Sequence, residues 1–393
     1  MARQFNQKKI IHVVFCHYTS DICGGSDRSL FDIVTSLSRE RFHATVILKT
    51  GDPMAEKYRE AGIEVFQVSL MSPRRTRHIV KFIPFFINYW PSVFRIAWII
   101  RSIKADVVHV NTSLNLQSAM AAKLAFKPLV WHVREIGQNT LLDKMIQRLV
   151  CLLATHTIAN SLSVADTLRQ CGKSLIVILN GIDLSEYKDI PTHHLVRQHL
   201  NIQPYQPIVT IIGLLEPGKG QHVLIEAVPL VLKYHPTTQF LIVGGSAVNK
   251  PEYEIELKSR CQELGIDKNV IFTGIRNDIP SILADSNMLI LTSITPESFG
   301  RTIIEAMAAN RPVIATAAGG PLETVINGET GWLVPPNNPQ ALANKIGYLI
   351  SNPELAHEMG SKGKKRAFNE FSLERLIKEM ELLFEKIVTK KLT

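Results

Sequence analysis

Two carboxylates, Glu297 and Glu305, stand eight residues apart in Pro296-Glu297-Ser298-Phe299-Gly300-Arg301-Thr302-Ile303-Ile304-Glu305-Ala306-Met307-Ala308. An apolar run over 288–293 leads in and predicts a strand. A helix-forming run over 302–309 leads out. One carboxylate is therefore expected in a loop before a helix, and the other inside that helix. The amides of Ser298, Phe299, Gly300, Arg301 and Thr302 lie at the helix start, where backbone donors lack intrahelical partners and bind phosphate. A carboxylate just beyond can accept the hydroxyl hydrogens of a ribose. The other carboxylate remains for a second polyol. The chemistry is that of a nucleotide diphosphate carrying a sugar.

A second glycine-rich segment reads Gly213-Leu214-Leu215-Glu216-Pro217-Gly218-Lys219-Gly220. It follows a predicted strand and opens a helix. It satisfies most of the phosphate-binding GxxxxGK[ST] pattern, but Gly220 stands where Ser or Thr should hold magnesium. No second strand ends in an acid suited to the metal. Gly24-Gly25 follows the first predicted strand, where glycine lets backbone approach a ligand. His132 ends a strand in Trp131-His132-Val133-Arg134-Glu135. The chain contains no DxD pair to hold a metal on a diphosphate.

These segments together resemble the retaining glycosyltransferases of the GT-B fold, in particular the large family 4 group. The 297–305 stretch resembles their E-x7-E motif, and 213–220 their G-R-L-x-x-x-K-G segment. The resemblance implies that Glu305 holds the donor ribose and Glu297 the sugar hydroxyls. It implies that Gly213 and Lys219 serve the diphosphate, that the Gly274-Ile275-Arg276-Asn277-Asp278 loop seats the base, and that the Gly24-Gly25 loop approaches the donor. His132 matches the position whose imidazole meets the transferred sugar. No metal and no cofactor are implied, and the departing phosphate helps take the acceptor proton. One departure stands out: Leu214 occupies the place of the family's arginine, a charge that Arg276 or Arg301 would have to replace. A catalytically inactive binding protein of the same fold and a P-loop nucleotide enzyme are the alternatives.

The elements that position these residues alternate between strand and helix almost throughout, which predicts parallel sheets covered on both faces. The expected fold is α/β, with two doubly wound Rossmann-like domains facing a cleft. The boundaries are 1–190 for an acceptor-side domain, 191–206 for a linker rich in Pro, His and Gln, and 207–370 for the nucleotide-sugar domain. A C-terminal helix over 371–393 would pack back on the first domain. Strands are expected near 11–18, 44–49, 63–68, 107–111, 129–134, 156–160 and 175–179. A second set is expected near 208–212, 240–243, 270–273, 288–291 and 313–315.

With 393 residues, 46% of them hydrophobic, the chain can build two cores. Its five cysteines show no paired metal-ligand spacing, and their number is odd. Incidental thiols in a reducing compartment are expected. His193-His194 is expected to be solvated. The polar N-terminus and the strand-like run after it predict a cytoplasmic protein.

Net charge is +9. From Val65 to Ala105 there is no acid, but there are Arg74, Arg75, Arg77, Lys81, Arg95, Arg101 and Lys104, interleaved with aromatic residues. That pattern suits an anionic membrane surface. The expected partners are a nucleotide-sugar donor, a glycan or lipid-linked acceptor, and a membrane surface through 74–104, with no nucleic acid. The competing account buries the apolar side chains of this stretch. The run 83–100, interrupted by Pro84, Pro91 and Arg95, is not expected to span a membrane.

Overall fold

A computed structural model describes residues 9–18, 24–70, 83–137, 140–188, 190, 195–246 and 251–389, without the side chains of 83–88. Cys23, Arg74, Arg75, Arg77, Lys81, His193 and His194 lie outside the described residues. The chain divides into two compact units. One comprises Met1–Leu179 and Glu374–Thr393, the other Asn180–Leu373.

The first unit is built on seven parallel strands: β1 (Ile11–Cys16), β2 (Phe42–Lys49), β3 (Glu64–Val68), β4 (Val107–Asn111), β5 (Leu129–Val133), β6 (His156–Ala159) and β7 (Leu175–Val177). Their spatial order is β3-β2-β1-β4-β5-β6-β7. Every residue of β4 and β5 is buried, because helices cover both sheet faces. Val14, Cys16, Val108 and Val110 pack in one core with the helices Ile83–Ser102 and Leu116–Leu124. Phe15, of opposite parity in β1, instead meets Phe384 of the last helix, Leu373–Thr389, with ring centroids 6.0 Å apart. Glu381 of that helix accepts from the Ser38 amide at 2.9 Å and from Arg41 at 2.8 Å. The chain order reverses between β1 and β4, and such switch points are where doubly wound sheets bind ligands.

Pro91 does not end the helix Ile83–Ser102. Its residue is exposed, so the ring is accommodated on the outer side. Cys151 and Cys171 form a disulfide, with Cα atoms 4.6 Å apart. This corrects the expectation of unpaired thiols. The helix Leu141–Leu153 ends beside the 3-10 turn Arg169–Ser174, so cysteines twenty residues apart become neighbours. Cys16 and Cys261 are free and buried, and burial pushes the Cys16 thiol up to about 12.

The second unit holds six parallel strands: β8 (Ile208–Ile212), β9 (Gln239–Val243), β10 (Val270–Gly274), β11 (Met288–Leu291), β12 (Val313–Thr316) and β13 (Gly331–Val334). Their order is β10-β9-β8-β11-β12-β13, with the reversal between β8 and β11. The edge strand β13 was not expected from the sequence.

The stretch expected as a linker belongs instead to this unit. Leu195–His199 is a short helix whose Val196 and Arg197 amides donate to Asp285. Arg197 is buried and donates to the carbonyls of Gln203, Gln206 and Asp285. The unit begins at Asn180, and there the chain runs beside its own return. Ile182 N donates to Phe371 O at 3.0 Å, and Leu373 N to Ile182 O at 2.9 Å. A Cβ on Gly181 would lie 2.4 Å from Ser372 O.

Candidate functional site

In the second unit Gly213, Lys219, Glu297, Ser298, Phe299, Gly300, Arg301, Thr302 and Glu305 follow β8 and β11, the strands of its switch point, whereas Arg276 follows the edge strand β10. The turn Pro217–Lys219 ends on Gly220 in the left-handed conformation, φ 70. Thr292 Oγ1, just past β11, donates to the carbonyls of Lys219 and Gly220 at 3.1 and 2.8 Å. The amide of Ile294 donates to Gly218 O at 3.0 Å. These bonds fasten the lysine turn to the loop that carries Glu297.

Lys219 Nζ lies 2.6 Å from Glu297 Oε1, and Ser293 Oγ donates to the same oxygen at 2.7 Å. Lys219 and Glu297, assigned separate tasks from the sequence, are thus an ion pair. Ser293 is a member of the cluster that sequence reasoning did not single out.

The P-loop alternative fails on geometry. A Cβ on Gly220 would stand 2.2 Å from Thr292 O. No serine or threonine can occupy that position, and the magnesium-holding hydroxyl of a P-loop has no place.

The helix Arg301–Ala308 begins on Gly300, also left-handed at φ 84, with no side chain capping it. No side chain thus satisfies its first amides, the feature from which an anion site is expected. Ser298, Phe299 and Thr302 flank this start, and Phe299 is buried against Phe371 at 5.7 Å between ring centroids. Glu305 is 5% exposed and accepts from Arg301 Nε at 3.1 Å. Arg276 makes two bonds to Asp278, at 2.8 and 2.6 Å, which hold that carboxyl below its usual range. The two arginines expected to replace the missing charge at Leu214 are therefore each paired with a carboxylate already. Leu214 contributes its carbonyl, which accepts from Gln221 at 2.8 Å.

The loop bearing Glu297 is held from behind by Gly319 and Gly320. Gly320 N donates to Glu297 O at 2.7 Å. A Cβ on Gly320 would fall 2.4 Å from Phe299 Cα. By contrast, a Cβ on Gly213 or Gly25 would meet nothing within 4 Å, and one on Gly24 would meet Asp27 at 3.5 Å. Packing within the free protein does not require glycine at those three positions.

In the first unit the polar residues lie at the ends of β1, β4 and β5. Asp27 accepts from the Gly24 amide at 2.7 Å and bonds His17 Nε2 at 2.6 Å. Asn111 Nδ2 lies 3.0 Å from His17 Nδ1, while Asn111 Oδ1 accepts from Arg134 Nε at 2.5 Å. Since the amide nitrogen donates, His17 Nδ1 accepts and its proton sits on Nε2, facing Asp27. Arg134 also donates to Ser29 Oγ at 2.9 Å and approaches His132 Nδ1 at 3.4 Å. Arginine can only donate, so His132 Nδ1 accepts and its proton lies on Nε2.

His132 is fully buried, and Nε2 has no partner among the described residues. Burial, then the Arg134 charge, then His109 hold it well below the usual histidine range. It is a neutral donor with one unsatisfied hydrogen. His109, 3.3 Å from His132 Nδ1, is pushed down to about 3 by burial, Arg134 and His17. Gly24 is thereby tied to His132 through Asp27, His17, Asn111 and Arg134. Only the two ends of that chain were expected from the sequence. The signal for the middle was polar residues two apart in buried strands, His109/Asn111 and His132/Arg134, which share a sheet face.

Residues 194–366 match the family model for glycosyl transferases group 1, and residues 23–186 match that for glycosyltransferase family 4. The chain belongs to the group 1 glycosyltransferases. Among relatives of this family, it is 26% identical over 309 residues to D-inositol 3-phosphate glycosyltransferase of Corynebacterium urealyticum, covering 77% of this chain and 71% of that one. It is 32% identical over 181 residues to trehalose synthase of Pyrococcus horikoshii. That match covers 45% of this chain and 43% of the relative, so it spans less than half the relative's length. HepE of Anabaena, solved in complex with UDP, superposes with a TM-score of 0.83 at 27% identity, covering 96% of this chain and 100% of that one. HepE has also been solved with UDP-glucose. The fold class is that of the GT-B glycosyltransferases, two doubly wound parallel sheets.

Proposed function

We propose that this protein transfers a sugar from a nucleotide-diphosphate donor to an acceptor hydroxyl, with retention at the anomeric carbon, in polysaccharide or glycolipid synthesis. The observation that carries the reading is the Lys219–Glu297–Ser293 cluster beside the uncapped helix start at Gly300. An ammonium and a set of backbone amides converge where a diphosphate would sit. The UDP and UDP-glucose complexes of HepE support the same donor class.

In this reading Glu305 accepts from the ribose hydroxyls and Glu297 from hydroxyls of the donor sugar. Lys219 and the amides of Ser298, Phe299, Gly300, Arg301 and Thr302 neutralise the diphosphate as the bond from the anomeric carbon to its oxygen breaks. The acceptor oxygen forms the new bond on the same face of the sugar, and its proton passes to the departing phosphate. Arg276 lines the base loop, and Gly213, Gly24 and Gly25 leave room for close backbone approach. His132 offers its Nε2 hydrogen to the transferred sugar. No metal is needed for these steps, because Lys219 and the helix start do its electrostatic work.

The acceptor is proposed to be a lipid-linked or membrane-associated glycan. The acid-free basic stretch 74–104 would meet an anionic membrane from the cytoplasmic side, as a peripheral protein. Among the described residues no helix is long and apolar enough to cross a membrane.

The test is a screen of nucleotide sugars for thermal stabilisation, since binding to the folded state raises apparent stability. It is followed by transfer and donor-hydrolysis assays with and without chelator. Stabilisation with chelator-resistant turnover is expected. Binding without any turnover would make the protein an inactive sugar-nucleotide binder, the outcome that Leu214 favours. Turnover abolished by chelator and restored by magnesium or manganese would overturn metal independence.

A further inference from the structure

We propose that the outward face of the helix Ile83–Ser102, with Phe126 at its end, is the surface that docks on an anionic lipid bilayer, its aromatic rings entering the headgroup boundary. This rests on the membrane-associated acceptor proposed above and gives that reading a defined surface. The helix is apolar on both sides. Its inner side, Tyr89, Val93, Ile96, Ala97 and Ile100, is buried in the first unit's core. A helix apolar all round normally has both sides covered, yet from Trp90 to Trp98 the other side of this one is exposed. Trp90 is 48% exposed, Phe94 56% and Trp98 68%. They follow at intervals of four and so form one stripe. Phe126, 80% exposed, extends the patch, since the Arg101 guanidinium lies over its ring at 5.5 Å. This contradicts the account in which the apolar side chains of the stretch are all buried.

The charge around the stripe selects the occupant. From Val65 to Arg134 the chain has ten Lys and Arg residues against one acid, Asp106. Asp106 is ion-paired with Lys9 at 2.7 Å. Arg95, Arg101, Lys104 and Lys123 are exposed on or beside the helix. A face with exposed tryptophans and with exposed Arg95, Arg101, Lys104 and Lys123 on or beside it matches the interfacial zone of an anionic bilayer, where indole rings and basic side chains both gain. The lipid surface is therefore the occupant the patch fits.

Tryptophan fluorescence tests this directly. Of the four tryptophans, Trp131 is fully buried and Trp332 lies in the second unit. A lipid-dependent change in emission therefore reports on Trp90 and Trp98. The full chain is mixed with vesicles of phosphatidylglycerol and phosphatidylcholine in equal parts, some carrying brominated acyl chains. Co-sedimentation is expected with the anionic vesicles and not with phosphatidylcholine alone, accompanied by quenching by the brominated chains.

The triple variant Trp90→Ser, Phe94→Ser, Trp98→Ser should bind the anionic vesicles roughly tenfold or more weakly, since several aromatic insertions are lost. Its thermal midpoint should stay near that of the wild type, because all three side chains are exposed. Wild-type binding that survives the triple substitution without quenching would sink this surface while leaving the basic stretch as a membrane anchor. No binding to anionic vesicles at low salt would sink both. A triple variant that merely turns a dimer into a monomer, with no vesicle binding by either protein, would make the stripe a contact between copies and overturn the proposal.

Discussion

Lys219 and Glu297 neutralise each other at 2.6 Å before any donor arrives. In the proposed reaction the ammonium that would face the diphosphate is thus also the group that keeps a carboxylate tolerable beside it. Removing Lys219 deletes an attraction and leaves an anion facing an anion. Lys219→Ala should therefore cost about 100-fold or more in kcat, as loss of a transition-state charge donor does. Lys219→Ala combined with Glu297→Gln should cost less than the product of the single effects, because contacting residues are not additive. Initial rates of the four proteins decide this, and strict additivity would show that the pair acts as two independent groups. Glu305→Ala should instead weaken donor binding by roughly 1.5–3 kcal/mol, the worth of a hydrogen bond to a charged acceptor. Calorimetric titration of the donor reads it.

His109 makes a separate prediction about pH. Its folded pKa is about 3, depressed from the ordinary 6.5 by burial first. The unfolded chain takes up a proton near pH 6.5 that the folded protein refuses until near pH 3. The stability this histidine confers is complete above pH 6.5. It is lost as pH falls from there towards 3, at up to about 1.4 kcal/mol per pH unit. The decline in the thermal midpoint between pH 7 and 5 should therefore be shallower in His109→Gln than in the wild type. Equal slopes would place the acid sensitivity elsewhere.

At the scale of elements, two loops back to back shape the Glu297 site of the second unit. Gly320 presses on Phe299 with no room for a side chain, a Cβ there falling 2.4 Å from the Phe299 Cα. Gly320→Ala must push the Glu297 loop forward. A displacement near 1 Å at reacting groups costs about 100-fold in rate, so kcat/KM should fall to that order and the thermal midpoint with it. Gly213→Ala, whose Cβ meets nothing within 4 Å, should leave the thermal midpoint of the unliganded protein unchanged. If Gly320→Ala retained full activity, the glycine pair would not be what holds the loop.

Much of this scale was legible in the sequence. The strands of the first sheet announced themselves as short apolar runs between turn residues. So did the strand–loop–helix around Glu297, because the hydrophobic run stops sharply at Ser293. The rest depended on distance in space. β13 is four residues long with a glycine and a tryptophan, too short for a periodic signal. The 195–199 helix hid in a segment rich in Pro and His, and is fixed by Asp285, nearly ninety residues away. Cys151 and Cys171 show no recognisable spacing until a helix and a turn place them side by side. The chain from Asp27 through His17 and Asn111 to Arg134 joins three strands and a helix start, which no local pattern encodes.

At the scale of the molecule, the last helix belongs to the first unit. Phe384 sits fully buried against Phe15, Phe42 and His109. Phe384→Ala should cost about 3–5 kcal/mol, the range for a buried aromatic truncated to alanine. The loss should fall on the first unit. Tryptophan emission during denaturation reads it, since Trp90, Trp98 and Trp131 all lie there. A variant unfolding at the wild-type denaturant concentration would mean that the helix is an ornament on a complete core.

That helix is also made only after the whole second unit. A ribosome adds roughly 5–20 residues each second, so the second unit, Asn180–Leu373, takes roughly 10–40 s to synthesise. Throughout that interval the emerging first half has every strand of its sheet but not the helix that shields Phe15 and Phe42. Its newborn surface is greasy on one side, and a chain arrested before Leu373 should bind chaperones and resist release as a soluble fragment. The unit made before Asn180 waits for a helix made after Leu373.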